Sequence, residues 1–193
     1  MPPKAVRTVK DLIFWQYLKI ISDSPGFGKK NSGFIMTKFK QLSNGQISWN
    51  EIREYIKEKE NNNVCILCGD QCELTIDHFF PRYYNGPDNE KNVIWVCKKR
   101  NSSKSKKRLY EYFTSKNGLD AAKYNVPKIA EGKYLKFIYK TLKNNKWLDF
   151  TIDDIKQMVC PQCDLKKICI KENSTNKLSP LCLDELLTYY PNS

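Results

Sequence analysis

The chain has 193 residues, 40% of them hydrophobic and 12% aromatic, with 33 Lys and Arg against 21 Asp and Glu for a formal charge of +12. A mean hydropathy of −0.62 alongside that many large apolar groups describes a folded protein of one or two small domains; it excludes collagen-like, mucin-like and multi-span membrane classes. The positive excess points to a polyanion, nucleic acid first, because each Lys or Arg laid on a phosphate releases a condensed counterion; a coding bias toward Lys, Asn and Ile is the other source of such charge.

The most apolar stretch, Leu12 to Ile21, is broken by Gln16 and Lys19 and has no small-residue cleavage site after it. A cytoplasmic protein with no membrane association is therefore expected. Val9, Leu12, Ile13, Leu18 and Ile21 predict a first helix. A second is predicted from Ser48, whose hydroxyl caps the amide three residues on while Glu51 reaches back, with Trp49, Ile52 and Ile56 on one side. Between them, Gly26-Phe27-Gly28-Lys29-Lys30 lacks the spacing of a phosphate loop and the Ser or Thr after its lysine, so it reads as a turn. After the polar break Asn61-Asn62-Asn63 come a knuckle, the strand Leu74-Thr75-Ile76-Asp77-His78, a loop at Asn85-Gly86-Pro87-Asp88 and the strand Val93-Ile94-Trp95-Val96. A helix is predicted from about Ser102 through Phe113, another over Lys133 to Lys143, and a third behind a Thr151/Asp154 capping box, over Thr151 to Val159. The fold class is mixed α+β: a helical arm (1–60), a strand-loop-strand-helix core (61–115) and a helical C-terminal region (116–193).

The only histidine, His78, directly follows Asp77; Asn92 stands 14 residues on and Asn101 nine beyond that. On a strand, Asp77 and His78 point to opposite faces unless the strand end twists, and such a pair is commonly structural. With Cys65-x-x-Cys68-Gly69 ahead of the pair and Val96-Cys97 ahead of the helix, the spacing resembles the HNH nucleases of the ββα-metal superfamily, over roughly Val64 to Lys107. The resemblance implies a ββα-metal core that hydrolyses phosphodiesters of double-stranded DNA. It makes His78 the general base, Asp77 and Asn101 the ligands of one magnesium or manganese ion, and Asn92 the brace of the loop between the strands. Those residue types suit the reaction: an imidazole can take a proton from water near neutrality, and hard oxygen donors hold a hard divalent cation. The basic segment that follows, with Lys98, Lys99, Arg100, Lys104, Lys106, Lys107 and Arg108, is expected to contact phosphate, Lys104 and Lys107 foremost; a solvated helix face is the ordinary alternative. Tyr83 and Tyr84 are placed to touch sugar or base, or to pack.

Eight cysteines in a reducing compartment are thiols or metal ligands before they are disulfides, and these form two groups of four. In zinc-bearing HNH proteins a second CxxC precedes the helix asparagine, whereas here Arg100 stands where the fourth thiolate belongs. Either Cys72 joins Cys65, Cys68 and Cys97 around a zinc ion, or the site is degenerate and Cys72 is a small buried residue. Cys160, Cys163, Cys169 and Cys182 crowd a short polar segment with little core of its own, which a metal would staple. Their C-x2-C-x5-C start resembles the cysteine loops of iron–sulfur DNA repair glycosylases, which implies a [4Fe–4S] cluster, with zinc the alternative and Lys166, Lys167 and Lys171 helping to grip DNA. Flanks this long suggest sequence readout. The expected protein is a type II restriction-like endonuclease, working as a homodimer on a palindrome. A homing or phage-type nicking enzyme and a catalytically silent, metal-stapled nucleic-acid-binding protein are the other readings.

Overall fold

The structure, a computed structural model, describes residues 4–22, 32–48, 63–117, 126–173 and 178–189. The turn expected at Gly26 to Lys30 and the body of the helix expected from Ser48 lie outside them. In chain order the elements are α1 (Val9–Ser22), α2 (Ser32–Ser43), β1 (Leu74–His78), β2 (Val93–Cys97), α3 (Lys98–Lys104), α4 (Leu109–Asn117), α5 (Lys128–Asn144), α6 (Ile152–Asp154), α7 (Lys166–Asn173) and α8 (Pro180–Tyr189). The class is α+β, and no described helix is long and apolar enough to cross a membrane.

α1 is buried on nearly every side, with Val9, Leu12, Ile13 and Tyr17 fully enclosed between α2 and α5. Its isoleucines and aromatics are poor helix formers by up to about 0.7 kcal/mol each. Burial of each such side chain is worth roughly 1.5–3 kcal/mol, so packing decides the conformation. The free amides of its first turn are all occupied: Val9 N donates to Phe150 O (2.9 Å), Lys10 N to Leu148 O (2.8 Å) and Asp11 N to Thr8 Oγ1 (3.2 Å). The amphipathic helix α2, which the sequence reading passed over, covers α1 with Ile35, Phe39 and Leu42.

β1 and β2 pair antiparallel, Leu74 opposite Cys97 and His78 opposite Val93, and α3 packs on both strands. The single helix predicted from Ser102 through Phe113 is instead two, α3 and α4. The chain turns at Ser105 (φ 50°), whose N–H bonds Asn101 O at 2.8 Å, and leaves α3 in a new direction. Thr151 and Asp154 form the capping box, but α6 lasts a single turn before a wider π turn (Ile155–Val159) and a 3₁₀ turn (Cys160–Gln162). Bonds also cross position 115: Lys133 Nζ donates to Val93 O (2.8 Å) and Glu111 N to Asp184 Oδ2 (2.7 Å).

Candidate functional site

Asp77 and His78 end β1, Asn101 lies on α3, and all three line one open cleft of about 500 Å³ together with Arg82, Tyr83 and Lys106. The alternation of the strand fails at its end: Asp77 and His78 are both buried, each 8% exposed, and both border the cleft. Asp77 Oδ1 accepts the N–H of His78 at 2.7 Å. Its Oδ2 lies 3.1 Å from the Lys104 ammonium without forming an aligned hydrogen bond, and is otherwise unpartnered among the described residues. Asn101 Nδ2 donates to Ile76 O (3.2 Å), which leaves the amide oxygen as its donor atom for a cation. The hard oxygen donors at this end of the cleft are the Asp77 carboxylate, already paired with Lys104, and the Asn101 amide oxygen.

His78 Nε2 and Asp88 Oδ1 are 3.1 Å apart, and Asp88 is in turn paired with Arg82. The carboxylate only accepts, so the ring proton sits on Nε2, leaving Nδ1 as the basic nitrogen. The bond to His78 and the Arg82 guanidinium hold Asp88 below the usual carboxylate range. A carboxylate partner for the histidine was not foreseen; a backbone carbonyl is the commoner one, and nothing in Gly86-Pro87-Asp88 marked the aspartate.

Asn92 shapes the loop that presents Asp88. Wholly buried, it accepts from Phe80 N (2.8 Å) and donates to Phe80 O and Pro87 O (both 2.8 Å). At Gly86 the loop passes so close to Phe80 that a Cβ would collide with its carbonyl group, and Asn85 turns the chain with φ 61°. Asn92→Ala leaves the buried N–H and C=O of Phe80, and the part-buried C=O of Pro87, without this partner. A loss of roughly 3 kcal/mol in urea unfolding is expected.

Two of the expected phosphate-binding residues are elsewhere. Lys104 is fully buried on the inner side of α3, where it donates to His78 O (2.6 Å) and pairs with Asp77; burial lowers its pKa, opposed by that carboxylate. Arg108 is also fully buried and is held by Glu111 (3.0 Å), Asp164 (2.6 Å) and Glu185 (3.2 Å), with Thr188 Oγ1 at 2.9 Å. Both cations are enclosed and paired with the protein's own carboxylates, which leaves neither at the surface. Lys98, Lys99 and Lys106 are exposed, and Lys107 and Arg100 are half-buried. Lys106 Nζ sits 4.4 Å from the Tyr83 ring at the cleft, whereas Tyr84 stacks on Phe80 with Arg108 5.0 Å from its ring. Tyr83 is exposed at the cleft, edge-on to Tyr84 at 4.9 Å, and Tyr84 packs.

At the base of the sheet, the sulfurs of Cys65, Cys68 and Cys97 lie within 4.8 Å of one another, with Cys68 and Cys97 3.9 Å apart. The knuckle turns back at Gly69 (φ 77°), where its N–H bonds Cys65 O at 2.7 Å. This trio could bind a metal ion. Cys72 is exposed rather than buried and falls outside the mutual 4.8 Å of the trio, with its thiol beside Cys97 and near Asp70 O, while the Arg100 guanidinium lies against Cys68 and Tyr112.

All four C-terminal cysteines border one small hollow, and all eight thiols are unbridged. Burial pushes the Cys163 thiol up to about 12 and raises Cys160 and Cys182 as well. Lys166 and Lys167 are exposed, and the Lys171 side chain lies outside the described residues. No family model, no curated protein and no solved structure matches the chain.

Proposed function

We propose that this protein is a metal-dependent DNA endonuclease of the HNH kind, cutting at a specific sequence in the manner of a type II restriction enzyme and working as a homodimer. The observation that carries the reading is the meeting of Asp77, His78 and Asn101 in one cleft, bordered by Arg82 and Lys106, on a strand-loop-strand-helix unit with a thiol trio at its base. Asp77 and Asn101 would hold magnesium or manganese, which supplies charge stabilisation for the phosphorane-like transition state and the departing oxygen. His78 Nδ1 takes the proton of the attacking water, and Asp88 keeps the ring in the tautomer that can do so. Arg82 and Lys106 receive the phosphate, and Tyr83 offers a face to sugar or base. Zinc at Cys65, Cys68 and Cys97 would lock the knuckle to the end of β2.

Asp88→Asn is expected to lower kcat about tenfold to a hundredfold with little change in KM, a part of the 10²–10⁴ that general-base catalysis supplies. Steady-state cleavage of a short duplex separates this from a structural role, which would lower the melting temperature instead. One observation favours a second reading: Lys104 already neutralises Asp77, as it would in a nucleic-acid-binding module that does not cut. Plasmid cleavage in magnesium by the wild type and by His78→Ala decides between the two.

A further inference from the structure

Large apolar side chains stand exposed at five places among the described residues, and three of these adjoin one another at the cleft. Ile76 (49% exposed) and Tyr83 (65%) line it, and Trp95 (42%) lies directly opposite Ile76 in the β-ladder. Directly paired residues of an antiparallel ladder share a face, with Cβ atoms about 4.5–5.5 Å apart. The period of two sorts β2 cleanly: Ile94 and Val96 are wholly enclosed on the core side, and Trp95 between them is turned outward. Its carbonyl accepts from Ile66 N at 3.1 Å, which ties β2 to the knuckle, so a strand paired on both edges presents the indole. Trp95 also walls a second open groove, of about 650 Å³, with Asn63, Gln71, Cys72 and Leu74. The cleft and this groove therefore adjoin across the Ile76 and Trp95 pair.

An indole left beside an isoleucine in water forgoes the gain of burial, so the pair suits a partner that covers both. The charge around it selects that partner. Lys98 and Lys99 follow β2 directly and are exposed, Lys106 stands against Tyr83, and the chain carries a formal charge of +12. A second copy would bring like charges together over this face, whereas a polyanion releases counterions as it binds. In a duplex the neighbours cover both faces of each base and only its edges are offered. An outward indole takes the flat face of a base that has left the stack.

We propose that Trp95 and Ile76 form a stacking platform for an unpaired nucleotide beside the scissile phosphate, so that DNA with a gap or flap at the cut is preferred over intact duplex. An intact duplex must first unpair that nucleotide, at a cost that a single-stranded segment avoids. Gln71 and Asn63 bring side-chain amides to the same groove, where a base edge has matching donors and acceptors. The inference deepens the nuclease reading and rests on it, because the platform acts only if the cleft takes DNA.

The test is a binding titration of the full chain, without added magnesium, against a duplex interrupted by a short single-stranded gap and against the same duplex without it. The wild type is expected to bind the gapped DNA about fivefold to a hundredfold more tightly, the range that stacking one base on an aromatic ring supplies. Trp95→Ala should lose that preference while its affinity for intact duplex changes little, and Trp95→Phe should keep part of it. Met158→Ala, which removes a comparably exposed side chain on the π turn, should behave as the wild type. The wild-type comparison stands even if a Trp95 variant fails to fold. Equal binding of the two DNAs overturns the platform and leaves the cleft a duplex site, whereas binding of neither overturns the nuclease reading with it. Full preference retained by Trp95→Ala also overturns the proposal; if that variant turns a dimer into a monomer as well, the face is a contact between copies.

Discussion

Cleavage by His78→Ala is expected to fall by about two to four orders of magnitude with DNA affinity nearly unchanged, because the imidazole acts on the water proton while the grip comes from many cations. The substitution is clean. Lys104 holds the backbone carbonyl of His78 and Asp77 holds its N–H, so neither anchor is lost with the ring. The imidazole itself bonds Asp88, which lies at the surface. Rates on a plasmid in magnesium, beside a binding titration, give the two numbers needed. Linear fragments of fixed size from the wild type indicate restriction, open circles indicate nicking, and intact plasmid with retained binding indicates the non-cutting module. Near-native cleavage by the variant would overturn the mechanism.

Arg108→Met, which keeps the volume and removes the charge, is expected to cost about 3–5 kcal/mol, a large fraction of a total stability of about 5–15 kcal/mol. Glu111, Asp164 and Glu185 lose their common cation, and Asp184, which accepts from Tyr134 and caps α4, loses its neighbour. Burial raises Asp184 to about 6 and, with the facing Asp164 carboxylate, Glu185 to about 7; Lys104 is the other nearby cation. Both pKa values lie above those of the unfolded chain. The stability each group contributes is therefore complete below its ordinary value and is lost as pH rises through about 6 and about 7. Arg108 limits that loss, so the gap between wild type and variant should widen from pH 5 to pH 8. Urea unfolding at the two pH values measures it. An equal gap at both would mean that the carboxylates do not sense Arg108.

How far the sequence carried depended on the range of the interaction. β1 was legible to the residue because its period of two and the following Pro81 are local signals. α2 carries Ile35, Phe39 and Leu42 at helical spacing, but Gly33 and its lysines masked a pattern that only packing on α1 makes decisive. The break at Ser105 rests on a positive φ at a residue that does not advertise one. Lys104 and Arg108 were assigned to the surface by residue type, since such side chains are seldom fully buried unless paired. The acids that pair Arg108 from beyond the neighbouring α4 stand 56 and 77 residues further on, outside any local pattern. Asp88 is only ten residues from His78, yet their meeting depends on a loop that Asn92 and Gly86 shape.

The position of Arg108's partners also sets an order in time. The arginine lies beneath Tyr84, in the same short turn as the Arg82 and Tyr83 that wall the cleft, and Tyr84 reaches toward Asp164 (3.4 Å). While the ribosome is still extending the chain, this wall has no support from Asp164 until α7 begins, and none from Glu185 until α8 has been made. Pairings so distant along the chain close late, because their loops are long. A nascent chain carrying His78, Asp77 and Asn101 therefore emerges with its cleft unbuttressed. The wall formed by Arg82 and Tyr83 is therefore fully buttressed only once residues 180–189 have docked and Glu185 has met Arg108.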